Sequence, residues 1–153
     1  VIYRFYARAN ESGIKTIYDP GPPSKYENFD FLKFVDFLTP NKHEAEFILG
    51  KKIDGFELEA AKELKKIGSN HVIITLGSEG LVYSGDFDRI FKPIKVNAID
   101  PVGSGDCFNG ALASMINKGE DILNSINFAQ RAAAFSTTKK GASQSFPFLN
   151  EIK

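Results

Sequence analysis

The stretch His71 to Gly80, HVIITLGSEG, joins an unbroken apolar run to a turn of small, flexible residues. A short continuous apolar run marks a strand covered on both faces, as in parallel sheets flanked by helices. Upstream, Leu58, Ala61, Leu64 and Ile67 recur at helical spacing and predict a helix over 56–67, stopped by Gly68. Earlier still, Pro40-Asn41-Lys42-His43-Glu44 opens a short helix through Leu49, closed by Gly50. Residues 29–39, FDFLKFVDFLT, predict a helical turn and then a short buried strand near Val35 to Leu38. The alternating, β-branched run Ile14 to Asp19 predicts another strand, ended by Asp19-Pro20-Gly21-Pro22-Pro23. Downstream, strands are expected at Leu81 to Ser84 and Arg89 to Val96, around the turn residues Ser84-Gly85-Asp86, followed by helices from Ser104 to Asn117 and Ile122 to Thr138. Strands alternating with helices predict an α/β fold with a mainly parallel sheet and an antiparallel hairpin near 81–96. Ligands of such sheets sit beyond the carboxyl ends of the strands, where Asp19 to Pro23, Thr75 to Gly80 and Asp100 to Asp106 fall.

The 153 residues, 42% of them hydrophobic, suffice for one ordinary core. Nineteen basic and nineteen acidic residues leave no net charge to steer the chain to nucleic acid or an anionic membrane, so any bound anion must be held by local geometry. A single cysteine excludes an internal disulfide framework, and no apolar run approaches the ~18 residues of a spanning helix. A reduced, soluble, cytoplasmic protein is expected. The start, VIYRFYARANESG, has neither the apolar region of a signal peptide nor a Met; Ile2, Phe5 and Ala9 at helical spacing, with Gly13 as a stop, suggest that it begins partway through a larger protein.

Four motifs invite chemistry. In Gly103-Ser104-Gly105-Asp106 the glycines let the backbone turn sharply and approach a ligand, and the following helix's first N–H groups lack intrahelical partners. Such a helix mouth suits a phosphate in transfer, with Asp106 beside it in the first turn. An ordinary cap by Ser104 or Asp106 is the alternative. No Gly-Lys-Ser/Thr follows, so this is not a P-loop, and a dinucleotide fingerprint would need a third glycine. Asn41 and Glu44 have the spacing of a capping box; an amide and a carboxylate at a helix mouth also suit hydrated Mg²⁺ and a nucleotide phosphate. Thr75 to Gly80 reads either as a plain corner or as a rim for a nucleotide base or ribose. Ala132-Ala133-Ala134 with Lys139-Lys140-Gly141-Ala142 permits close helix packing or a flat ring laid against a helix. His43 and His71 have no partners at ligand spacing, Cys107 reads as a small core residue, and ELEAAKELKK at 57–66 as a solvated face with i, i+4 pairs.

In this order the motifs resemble the ribokinase-like (PfkB) family of sugar kinases. DPVGSGDCFNGAL is similar to the family's C-terminal signature, PNKHEAEFILG to its Asn-x-x-Glu motif, VIITLGSEG to its nucleotide-binding strand, and FAQRAAAFSTTKKGASQS and FPFLNEI to its closing segments. Asp19-Pro20-Gly21-Pro22-Pro23 resembles a proline loop that usually opens on Asn. The resemblance implies a three-layer fold with helices on both faces of the sheet. It covers all of this chain but only the C-terminal half of the kinase domain. The other half would supply most sugar contacts and a lid that makes a homodimer, so this chain alone is expected to be inactive.

The resemblance further implies ATP-dependent phosphorylation of D-ribose to ribose 5-phosphate. A related kinase for fructose, ketodeoxygluconate or a nucleoside, or a non-catalytic nucleotide-binding module, are the alternatives. Asp106 would be the base that meets the sugar hydroxyl, with the backbone of Gly103, Ser104 and Gly105 as anion hole. Asn41, Thr75, Leu76, Gly77, Ser78, Glu79, Gly80, Gly105, Asp106 and Gln130 would contact ATP; the family commonly has His where this chain has Gln130. Glu44 would help organise Mg²⁺ through water. A monovalent cation, K⁺, would be held by Asp100, Val102, Ser136, Lys139, Gly141 and Ser145.

Overall fold

The computed structural model describes residues 1–21 and 28–152; Pro22 and Pro23 of the proline loop lie outside them. It divides into two compact units, Val1–Pro93 and Ile94–Lys153.

The first unit opens with α1 (Ile2–Glu11), followed by β1 (Ile17–Tyr18), a 3-10 turn over Asp30–Phe34, β2 (Phe37–Leu38), α2 (Lys42–Leu49), α3 (Glu57–Ile67), β3 (His71–Thr75), β4 (Leu81–Ser84) and β5 (Asp88–Phe91). The five strands lie in sequence order in one sheet. β1–β2 and β2–β3 are parallel, with Ile17 opposite Phe37 and Phe37 opposite His71. β3–β4 and β4–β5 are antiparallel, with Ile74 opposite Val82 and Val82 opposite Ile90. The sheet is thus mixed, and the antiparallel part holds half of its pairings. The turns after β3 and β4 are too short for the crossover that a parallel pairing needs.

Both outer strands are shorter than expected, for identifiable reasons. At the start of β1 the Thr16 N–H donates to Asp36 Oδ2 at 3.0 Å, and the Asp36 N–H donates to Thr16 Oγ1 at 3.1 Å. Side chains take up these two N–H groups, while the Thr16 carbonyl still accepts the Phe37 N–H at 3.0 Å. β5 stops at Phe91 because Pro93 has no N–H to offer.

The core of this unit is built from Leu32, Leu38, Leu64, Val72, Ile74 and Val82, with Ala45 and Ala61 at close approaches. Val72 and Ile74 face this core, and Ile73, on the opposite face of β3, is also fully buried. Each such side chain is worth roughly 1.5–3 kcal/mol before entropy is counted. α1 buries Tyr6 and Ala9, and Tyr6 stacks on Phe31 with centroids 5.5 Å apart. Ile2 and Phe5, expected on the inner stripe, are exposed instead. On α3 the ion pairs leave the helix rather than linking i to i+4: Glu57 meets Lys42 at 3.1 Å, Glu63 meets Lys51 at 2.7 Å and Lys62 meets Asp88 at 3.2 Å.

The second unit is α4 (Ser104–Asn117) and α5 (Ile122–Ser136), packed along one another, with the segments that lead in and out. α5 buries Ser125, Ala129, Ala132 and Ser136, small residues that permit close helix packing. Asp121 caps it, accepting the Asn124 N–H at 2.8 Å. Among the described residues no helix is long and apolar enough to cross a membrane.

Candidate active site

In the first unit the parallel strands bring their carboxyl ends together. β2 runs out through Pro40 into α2, and Asn41 bridges to Thr75 at the end of β3, whose N–H donates to the Pro40 carbonyl at 2.9 Å. Asn41 caps α2 in a reciprocal box: its Oδ1 accepts the Glu44 N–H at 3.0 Å, and Glu44 Oε2 accepts the Asn41 N–H at 2.8 Å. The capping reading is therefore realised. One amide nitrogen and one carboxylate oxygen remain for other partners. Burial pushes the Glu44 carboxyl up from its ordinary range; the Asn41 N–H opposes this, and the charge of Asp19 adds to it. A bound cation would relieve that penalty.

Beyond Thr75 the chain makes a tight corner. A 3-10 turn over Gly77–Glu79 is closed by the Leu76 N–H donating to the Gly80 carbonyl at 2.9 Å. Gly77, Ser78 and Glu79 are exposed, Thr75 and Leu76 half-buried, and Gly80 buried. Gly80 has φ +99°, and a Cβ there would lie 2.1 Å from the Phe91 carbonyl oxygen. Only glycine lets the corner fold against β5.

In the second unit the mouth of α4 carries the glycine motif. Gly103 is the cap residue, left-handed at φ 79°, and no side chain caps the helix. Neither Ser104 nor Asp106 takes the capping role. The Ser104 N–H donates to the Pro101 carbonyl at 3.1 Å and the Cys107 N–H to the Gly103 carbonyl at 2.9 Å. Between them, the Gly105 and Asp106 N–H groups head the helix, where no preceding turn supplies acceptors. Gly105 and Asp106 are exposed. Cys107 is buried, and burial raises its thiol pKa, partly offset by a hydrogen bond with Ser136.

Of the residues expected to hold a cation, three are brought together. Asp100 Oδ2 accepts the Gly141 N–H and Oδ1 the Val102 N–H, each at 3.0 Å. Those two bonds, Gly141 first, hold the Asp100 carboxyl below the ordinary carboxylate range. The Ser136 and Ser145 hydroxyls, both buried, donate to the Ala133 and Ala142 carbonyls at 2.8 and 2.7 Å. The Lys139 side chain turns to Glu151 at 3.0 Å and over the Phe135 ring, leaving only its backbone for a cation. Gln130 is half-buried on α5.

Thr137 and Phe146 carry no expectation from the sequence. The Thr137 carbonyl accepts both the Ile99 and Asp100 N–H groups, at 2.7 and 3.0 Å, and Ala142 and Phe146 press on Gly103. No sequence spacing announces contacts between segments this far apart.

The pattern of the pfkB family carbohydrate kinases matches residues 5–149. The ribokinase of Lactococcus lactis is 37% identical over 144 residues, which cover 94% of this chain and 45% of that protein. The structure of ribokinase from Thermotoga maritima superposes with a TM-score of 0.87 at 29% identity, covering 99% of this chain and 52% of the other. That of Arabidopsis thaliana ribokinase complexed with ribose and ATP does so with 0.86 at 25% identity, covering 99% and 50%. The chain spans about half the length of the curated relatives it matches.

Proposed function

Since the chain belongs to the pfkB family of carbohydrate kinases, we propose that it is the C-terminal, ATP-binding and catalytic part of a kinase that transfers the γ-phosphoryl group of ATP to the 5-hydroxyl of D-ribose. The observation that carries this reading is the mouth of α4. It has a left-handed glycine, no side-chain cap, two outward N–H groups and an exposed carboxylate in the first turn. Phosphoryl transfer asks a protein mainly for positioning and charge stabilisation, and this mouth offers both. The backbone of Gly103 to Gly105, with the helix dipole behind it, stabilises the transferred group, and Asp106 takes the proton of the attacking hydroxyl. The ribokinase names of its relatives support ribose as the acceptor.

In the first unit, Asn41 contacts the nucleotide phosphates through the amide nitrogen that its cap leaves over. Thr75 to Gly80 border the ribose and adenine. Among the described residues no three His, Cys, Asp or Glu side chains cluster to hold a metal. Glu44 alone therefore fits a Mg²⁺ that arrives with the nucleotide and keeps its waters. Asp100 with the carbonyls of Val102, Ser136, Lys139 and Gly141 and the Ser145 oxygen offers hard oxygens of the kind that fit K⁺. These cations supply positive charge for the phosphates when bound.

The test joins the preceding half of the Lactococcus lactis ribokinase to Val1 and follows ADP release. Ribose-dependent release that falls about 10²–10⁴-fold in Asp106→Asn is expected. Release indifferent to ribose, or unchanged in that variant, overturns the reading.

A further inference from the structure

The mouth of α2 carries a charge where local electrostatics disfavour it. Lys42 is the first residue of the helix, directly after its cap Asn41, and the positive end of the helix dipole repels a cation there. Its ammonium turns to carboxylates instead: Nζ lies 2.8 Å from Asp54 Oδ1, in the loop before α3, and 3.1 Å from Oε1 of Glu57, the first residue of that helix. The same Glu57 oxygen accepts the Gly55 N–H at 3.1 Å, which sets it for the lysine. One turn further along α2, buried Glu46 accepts the Ile53 N–H at 3.3 Å and a bond from Lys52 Nζ at 2.7 Å. Lys52, Ile53 and Asp54 are consecutive, so α2 holds this loop at two successive turns. The Lys42 and Glu57 side chains are 26% and 17% exposed, and charges laced together and half withdrawn from water keep more strength than an isolated surface pair. Toward the sheet, the mouth is tied by backbone, the Thr75 N–H on the Pro40 carbonyl.

We propose that Lys42 is a positioning residue: by bridging the first turn of α2 to Asp54 and Glu57 at the start of α3, it sets how Asn41 and Glu44 meet the end of β3. The functional consequence rests on reading Asn41 as a contact of the nucleotide phosphates. A lysine that touched phosphate itself would work better once its carboxylates were gone, whereas a lysine that works through them would fail. Asp54→Asn with Glu57→Gln keeps an oxygen for the Gly55 N–H and removes the charge that holds Lys42. Lys42→Met keeps an apolar stem without the ammonium. Lys42→Arg keeps the charge and offers a fork of N–H donors to both carboxylates.

The experiment joins amide hydrogen exchange by ¹⁵N NMR on the whole chain to calorimetric titration with ATP and Mg²⁺. In Lys42→Met, and equally in the doubly substituted Asp54→Asn, Glu57→Gln chain, the Glu44 N–H held by the Asn41 side chain is expected to exchange faster and ATP to bind more weakly. Each change should be about threefold, the scale of one such ion pair. Lys42→Arg should return both to the values of the unsubstituted chain. The Leu64 amide, inside α3, should stay protected in every variant, which rules out global unfolding. Glu44 exchange or ATP binding that is unchanged in Lys42→Met, or tighter binding once both carboxylates are gone, overturns the proposal. If Glu44 exchange responds as expected but the unsubstituted chain binds no ATP, the clamp stands and the nucleotide reading falls.

Discussion

Gly103 combines two constraints on one α-carbon. Its φ of +79° disfavours any side chain, and its neighbour Ala142 leaves 3.0 Å where a Cβ would go. Gly103→Ala is expected to destabilise the chain by about 1–3 kcal/mol, read as a lower midpoint in urea unfolding. A midpoint equal to the parent's would mean that Ala142 yields. His71 makes a different demand. Its ring stacks on Phe37 with centroids 4.5 Å apart, and its Nδ1 lies 2.8 Å from the hydroxyl of buried Tyr83. That hydroxyl oxygen also accepts the Asp86 N–H at 3.1 Å. Burial lowers the His71 pKa; Lys15 and Lys65 act in the same direction, while Asp86 and Asp36 oppose it. A depressed folded-state pKa means that the unfolded chain binds the proton more readily. Stability from this site is therefore complete above about pH 6.5 and is lost as pH falls through the lower, folded value. Unfolding midpoints compared at pH 7.5 and 5 should show the loss, and Tyr83→Phe should shrink the difference; an equal drop in that variant would place the effect elsewhere.

At the scale of elements, α2 illustrates one pair of residues with two assignments that substitution can separate. Asn41 and Glu44 satisfy each other's backbone N–H groups, and Asn41→Ala should cost about 1 kcal/mol of stability. Serine also caps well, so Asn41→Ser should stay within about 0.5 kcal/mol of the parent while removing the amide nitrogen assigned to ATP. Calorimetric titration with ATP and Mg²⁺ would then weaken without a stability change; unchanged binding would leave Asn41 a cap and nothing more. This doubling also explains what the sequence could disclose. The spacing of Asn41 and Glu44 announced the box, and glycines bracketing apolar periodicity placed α2, α3 and α4 within a residue or so of their observed bounds. Strand ends were less legible, since β1 is cut short by the Asp36 carboxylate, a partner 20 residues away that no local pattern reveals. The site divided in the same way. Gly103 and Asp106 stood out locally, whereas the grip of Asp100 on Gly141 depends on α4 and α5 lying side by side.

At the scale of the whole molecule, the sheet ends on strand β1, which has no partner on its outer side among the described residues. Such an edge offers unpaired N–H and C=O groups to any strand that can reach them. The surroundings are apolar. Phe5 is 63% and Ile14 60% exposed, and a groove of about 850 Å³ beside them is lined by residues that include Tyr6, Ala9 and Ile17. An apolar groove next to an open strand edge favours association over solvation. Two copies can satisfy each other by covering both grooves and pairing both edges. Light scattering across a concentration series should therefore give a mass that rises above the 16.9 kDa of one chain. Exposed charge at a strand edge is the usual deterrent to such pairing. Phe5→Glu combined with Ile14→Lys should accordingly return the mass to that of a monomer, because neither side chain contributes to the buried core and the fold should survive. A parent chain that stays monomeric throughout the series, or a doubly substituted chain that associates as strongly, would show that this edge is not the adhesive surface.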